Sequence, residues 1–129
     1  MERRAYLDTH IVIWLRDGEI SKISRTAAGI IETHDLLISP FVKLELQYLA
    51  EIGRLTENPE TIAAYLRDTI GLQVCRISAE KIVDEAMKIT WTRDPFDRLI
   101  TANAAAAEAV LISKDSAILA NYSRARFGG

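Results

Sequence analysis

Short apolar runs alternate along this chain with longer segments of helical periodicity. After "ERR", the run "AYL" predicts a buried strand, and "IVIWLRDG" carries Ile11, Trp14 and Leu15 at helical spacing before Gly18. Ser24 caps a helix in "SRTAAGIIETH", and "LLIS" reads as a second strand. "PFVKLELQYLAEIG" then predicts a helix with Pro40 in its first turn and Gly53 as its stop. In that helix Phe41, Leu44 and Tyr48 share a face, which Leu46 and Leu49 widen. Asn58 and Pro59 open the next helix and Gly71 closes it. "LQVCRI" is a third strand, and Ser78 caps "SAEKIVDEAMKIT" with its stripe of Ile82, Ala86 and Ile89. A helix from Pro95 to about Glu108, a strand "AVLIS" and a short helix after Lys114 complete the pattern.

Short apolar strands alternating with helices predict an α/β fold, a three-layer α/β/α sandwich with a central, mainly parallel sheet. In open sheets of this kind ligands gather beyond the carboxyl ends of the strands. Two acids stand at such ends: Asp8 after "AYL", and Asp115 after "VLIS" and Lys114.

Composition narrows the picture. At 129 residues, 49% of them apolar, residues 1–129 make one domain able to bury its own core. A single cysteine, Cys75, excludes an internal disulfide and a multi-cysteine zinc site; it fits a reducing, cytoplasmic setting and reads as a packed, inert residue. No apolar run approaches the ~20 residues of a membrane span, and "MERRAYLDTH" lacks the apolar stretch of a signal peptide. The formal charge of −2 excludes a global basic field, so any polyanion must be held locally.

The acids carry the candidate chemistry. Asp94 before Pro95 has the form of an N-cap, and Asp97 at the third helical position favours the positive end of the helix dipole. Both therefore read as capping residues, or Asp94 caps while Asp97 projects from the first turn. Asp8 and Asp115 read equally as caps of the helices that follow them. Glu45 lies in a helix that is hydrophobic on most sides: it is either paired or bound to a cation, or it sits on a narrow polar face with Lys43 and Gln47. Four carboxylates on one sheet edge would repel one another unless a hard dication neutralised them. Oxygen ligands without a cysteine or histidine cluster point to Mg²⁺ or Mn²⁺, a familiar solution for phosphodiester hydrolysis.

"YLDTHIVIWL", "SPFVKLELQYLAEIGRL", "DPFDRLITANA" and "LISKD", in this order over nearly the whole chain, resemble a PIN-domain ribonuclease, specifically the VapC-type toxin of a bacterial toxin-antitoxin pair. The resemblance implies a parallel sheet flanked by helices and a Mg²⁺ or Mn²⁺ site that cleaves RNA to leave 5′-phosphate and 3′-hydroxyl ends. It also implies a cognate VapB-type antitoxin and a toxin homodimer. It makes Asp8, Glu45, Asp97 and Asp115 both the catalytic and the metal-binding residues. Thr9 and Ser113 support them, Asp94 is the cap, and Arg98 and Arg93 contact flanking phosphates of the RNA.

Two features depart from the family pattern. Ser116, Ala117 and Ile118 stand where relatives often place another acid or polar group. The tail "NYSRARFGG" is short and basic where a final strand is usual, so the last sheet edge is expected to be abbreviated.

His10 reads as packed or solvent-facing, because a metal-activated water needs no imidazole. Trp14 and Trp91 could stack on bases, but Trp14 shares the stripe of Ile11 and Leu15 and reads as core or interface. The apolar surplus around Trp14 and from Phe41 to Leu55 suits an interface. Among rivals, a receiver domain needs an acid pair at the first strand, which "YLDTH" lacks. A phosphatase with a nucleophilic aspartate needs a second acid where His10 stands. A PIN-like module that binds RNA or protein without cutting stays open as the alternative.

Overall fold

A computed structural model describes residues 3–128. Its sheet is built from β1 (Arg4–Leu7), β2 (Asp35–Ile38), β3 (Gln73–Val74), β4 (Val110–Ile112) and β5 (Ala125–Arg126), in the order β3-β2-β1-β4-β5. Every pairing is parallel, so the mainly parallel sheet of the sequence reading is parallel throughout the described residues. The central strands must be apolar on both faces: Ala5, Tyr6 and Leu7 are at most 1% exposed, as are Leu111 and Ile112. In register, Tyr6 stands opposite Leu37 on one side and Leu111 on the other.

Among the described residues seven helices flank this sheet in the three-layer arrangement: α1 (Thr9–Asp17), α2 (Arg25–Thr33), α3 (Pro40–Glu51), α4 (Pro59–Ile70), α5 (Ala79–Met87), α6 (Pro95–Ala106) and α7 (Ser116–Asn121). A 3₁₀ turn, Ile20–Lys22, joins α1 to α2 and was not anticipated from periodicity. The expected caps are in place. Ser24, Asn58 and Ser78 each accept an amide hydrogen bond at a helix start, and Ser39, read only as the end of a strand, does the same for α3. Gly71 ends α4 with φ of 73°, a left-handed conformation that glycine adopts without steric cost.

The face of α3 differs from its sequence reading. Val42 and Leu46 are fully buried, while Leu44 and Tyr48 are 55% and 47% exposed. Periodicity cannot choose a face in a helix that is apolar on most sides; the entry from β2 through Ser39 and Pro40 sets the rotation that turns Val42 and Leu46 inward. "LQVCRI" supplies only a two-residue edge strand, because Gln73 and Val74 are exposed while Leu72 and Cys75 turn into the core. The last edge is short but present, with Ala125 paired to Leu111.

Alanines let α6 lie close to its neighbours: Ala102 and Ala104 are completely buried. Beside them Asn103 Nδ2 donates to Cys75 Sγ at 3.2 Å, and the Tyr6 hydroxyl donates to the same sulfur at 2.9 Å. Burial pushes the Tyr6 phenol well above its ordinary range. This buried polar cluster ties β1, the end of β3 and α6 together beneath the sheet's carboxyl edge.

Candidate active site

The chain leaves β1 toward β2 and β3 on one side, then returns to place β4 and β5 on the other. The carboxyl ends of β1 and β4 are therefore the topological switch point, where a crevice opens in a doubly wound sheet. Asp8 follows β1 there, and Ser113 and Asp115 follow β4. Asp8, Glu45, Asp97 and Asp115 all line one cavity of about 450 Å³, together with His10, Trp14 and Lys114.

Asp8 and Asp115 are each held in part by a backbone amide. Asp8 caps α1 and its Oδ1 accepts the Thr9 amide at 2.8 Å, while its Oδ2 accepts the Ser113 hydroxyl at 2.6 Å. Asp115 caps α7 through the Ile118 amide at 2.9 Å, and its own amide donates to Ser113 Oγ at 3.1 Å. Capping and lining the cavity are thus compatible roles for these two acids. Ser113 joins the ends of the two central strands, and Thr9 donates its hydroxyl to Glu45 Oε1, linking α1 to α3.

The two aspartates around Pro95 divide. Asp94 caps α6, its Oδ1 accepting the Asp97 amide at 3.0 Å, and Asp97 turns its carboxyl into the cavity. Glu45 is neither an exposed residue nor one on the polar face with Gln47, for it is half-buried against Thr9.

The electrostatics follow from this crowding. Asp97 is pushed up to about 7, first by burial and then by the charges of Asp94, Asp8, Asp115 and Glu45. Burial also raises Asp8, against the lowering effect of the hydrogen bonds from Ser113 and the Thr9 amide, and it raises Glu45 against the Thr9 hydroxyl. Among the described residues no three carboxylate, imidazole or thiol groups come close enough together to form a closed metal cage. The acids line the cavity in an open arrangement. Such a donor set still fits Mg²⁺ or Mn²⁺: all the ligands are hard oxygens, and Mg²⁺ usually retains several waters and needs only one or two direct carboxylates.

Two other residues fall outside the cavity. Arg98 Nε donates to the Ala86 carbonyl at 2.9 Å and so pins α6 to α5, and Arg93 is exposed on the loop before α6. Sequence reasoning does not assign Lys114 to the site and reads Trp14 as core or interface rather than a stacking residue, yet both line the cavity with His10, which shares a helical face with Trp14. Trp14 is half-buried, and Lys114 Nζ lies 5.7 Å from its ring centroid and 5.9 Å from that of Phe127.

Replacing Ser113 by alanine leaves the Asp8 carboxylate and the Asp115 amide each short of a partner. The expected cost is about 1–3 kcal/mol in urea unfolding at neutral pH. A change under a few tenths of a kcal/mol would mean that Ser113 does not bridge the two strands.

A doubly wound parallel sheet with acids collected at its switch point defines a fold and a site, and the family profile agrees: the chain belongs to the PIN domain family, matched over residues 5–124. Solved structures share this fold. A chain of DNA-bound VapBC from Salmonella typhimurium has a TM-score of 0.64 at 19% identity, covering 98% of this chain and 96% of that one. A chain of VapBC2 from Rickettsia felis, bound to a DNA fragment from its promoter, has a TM-score of 0.62 at 17% identity, covering 89% and 90%. A toxin-antitoxin complex from Klebsiella pneumoniae gives 0.59 at 19% identity, covering 95% of each chain. Among proteins of curated function no sequence match was found.

Proposed function

We propose that this chain is a metal-dependent endoribonuclease toxin of the VapC type, hydrolysing RNA phosphodiester bonds and restrained by a cognate VapB-type antitoxin. The convergence of Asp8, Glu45, Asp97 and Asp115 on one cavity at the switch point carries this reading. The shared fold with chains of VapBC complexes supports the toxin assignment.

In this reading the four acids hold Mg²⁺ or Mn²⁺, directly or through water. The bound ion supplies Lewis-acid polarisation of the phosphate and activation of water. The chain's own contribution is positioning. Ser113 and the Thr9 amide fix Asp8, and the Thr9 hydroxyl fixes Glu45, so that two donors from different elements keep their aim as the cavity fills. Trp14 offers a face for a base and Lys114 a charge for a phosphate. Arg93 is free to reach a flanking phosphate, whereas Arg98 can offer only its terminal nitrogens.

Leu44, Tyr48 and Ile52 leave an exposed apolar strip along α3 and its end, which suits the antitoxin or a second copy in a homodimer. No helix among the described residues is long and apolar enough to cross a membrane, and a cytoplasmic setting is part of this proposal.

The open spacing of the acids is what favours the alternative, a PIN-like module that binds RNA or protein without cutting. Two measurements separate them. Purified protein should cleave cellular RNA in Mg²⁺ or Mn²⁺ and not in EDTA; no cleavage with either ion removes the nuclease reading. Calorimetry should show Mn²⁺ binding that Asp8→Asn combined with Asp115→Asn abolishes. Mn²⁺ at about 100 times its Kd should also raise unfolding stability by about 2.7 kcal/mol.

A further inference from the structure

The amino ends of the strands carry the opposite chemistry. Of the 16 lysines and arginines, five pair with carboxylates within 4 Å among the described residues: Arg16, Lys22, Lys43, Arg67 and Lys88. Four others, Arg3, Arg4, Arg124 and Arg126, meet around one cavity of about 260 Å³ with His34, and among the described residues the only carboxylate lining it is Glu108. None of these four arginines forms an ion pair among the described residues. Arg126 Nη1 instead donates to the carbonyls of Ser123 and Ala125. Asp35 stands opposite Arg4 in register, but the two do not pair. In a chain of net charge −2, this is a concentrated positive patch on a surface with no general basic field.

Its position follows from the topology. Arg4 begins β1 and Arg126 ends β5, with β4 between them and an offset of three residues in register, so the two backbones are about 14 Å apart and the Arg126 side chain reaches back to the cavity. Four guanidinium groups brought to one cavity from separate segments offer more donors than one small anion can accept, and suit successive phosphates of a strand. Apolar anchors, which a protein partner would need, are nearly absent. Among the described residues Ala107, Ala109 and Val110 are the only apolar side chains lining the cavity, and none of the large exposed hydrophobics, from Leu44 and Tyr48 on α3 to Met87 on α5, lies there.

We propose that this cavity is a phosphate-binding exosite for RNA, at the opposite end of the sheet from the acidic cavity and independent of any metal. The proposal rests on the RNA-cleaving reading for its biological meaning. Along β1, the two sites are separated by about 13 Å of strand. An RNA with a folded or looped-back arm can touch both sites, so the exosite would retain substrate on a protein whose acidic cavity repels phosphate until a cation is present.

The test is binding of a fluorescent single-stranded RNA in EDTA, where neither cleavage nor metal-bridged contact contributes. Arg4→Gln combined with Arg124→Gln and Arg126→Gln should weaken binding at least tenfold. Their loss should also flatten the slope of log affinity against log salt by about 2, at about 0.7 per lost phosphate contact, between about 50 and about 200 mM salt. Because Arg126 also holds backbone carbonyls, Arg3→Gln with Arg4→Gln provides a second variant on another strand, and thermal melting checks its folding. Lysine at the same positions should restore most of the binding. The control pair Arg25→Gln with Arg54→Gln removes charge elsewhere and should cost less than twofold.

Equal losses from the control and exosite variants would overturn the proposal, as would a wild type that binds no RNA in EDTA. Tighter binding of an oligoglutamate peptide than of RNA would assign the patch to an acidic protein segment and overturn it too. Cleavage plays no part in this measurement, so failure of the nuclease reading and failure of the exosite give different results.

Discussion

Asp97→Asn is expected to lower metal-dependent RNA cleavage at least about 100-fold while making the folded protein more stable at pH 8. In the proposed metal site the activity loss follows from removing one of four oxygen donors, since such a site contributes several kcal/mol of transition-state stabilisation and each 1.36 kcal/mol is a factor of ten. The stability gain has the opposite origin. In the folded chain Asp97 is pushed up to about 7 by burial and by Asp94, Asp8, Asp115 and Glu45, whereas its ordinary value is 3.8.

Between those two values the folded state binds more protons than the unfolded state, so unfolding releases protons and stability falls as pH rises. The contribution is fully present below about pH 4 and is lost as pH climbs through about 7. Asp97 is only half-buried and faces an open cavity, and solvent screening reduces the effect to about 1–2 kcal/mol. Urea midpoints measured in EDTA at pH 5 and pH 8 should show the slope in wild type and a shallower one in Asp97→Asn. Saturating Mn²⁺ should flatten it in wild type by favouring the ionised carboxyl. Identical pH slopes in the two proteins would dismiss the crowded-acid account, and undiminished cleavage would remove Asp97 from the metal site. Such a trade of stability for activity is common where like charges are held together for function.

Leu46→Ala and Leu44→Ala, two residues apart in one helix, should differ by several kcal/mol. Leu46 is fully buried in the main core, and its truncation removes transfer energy and leaves a cavity, a loss of about 2–5 kcal/mol. Leu44 is 55% exposed, and its truncation should stay within about 0.5 kcal/mol for the isolated chain. Chemical denaturation of both variants checks this directly; equal losses would mean that α3 is rotated from the position described. If α3 also meets a partner, Leu44→Ala should weaken that association while leaving monomer stability intact.

Much of the architecture was legible from local chemistry. Strands such as "AYL" and "AVLI" are short, apolar and bounded by polar turns, and the helices carry their own start and stop signals in Ser24, Asn58, Ser78, Gly18 and Gly71. Elements defined by two or three residues were harder. β3 and β5 are edge strands that pair on one side only, so their hydrogen bonds come from a neighbour distant in sequence and leave little apolar signature. The buried set Tyr6, Cys75 and Asn103 was likewise hidden, because each member looks unremarkable until three elements are packed together.

For the candidate site, the sequence by itself determined the chemical inventory: four acids, with Asp8 directly after the strand "AYL" and Asp115 two residues beyond "AVLIS", and hydroxyl residues Thr9 and Ser113 near them. It also determined the helix caps, because a cap is satisfied by amides two or three residues away. Tertiary structure alone decided that Asp8 and Asp115 could cap and face the cavity together, and that Glu45 turned to Thr9 rather than to the polar face. It decided, too, that Arg98 belongs to the contact between α5 and α6, and that arginines from the two ends of the chain meet at the far edge of the sheet. The physical reason is the range of the interactions. Caps and periodicity act within one turn and can be read locally, whereas the rotation of a helix and the charge around a cavity depend on parallel pairings that join residues about a hundred positions apart.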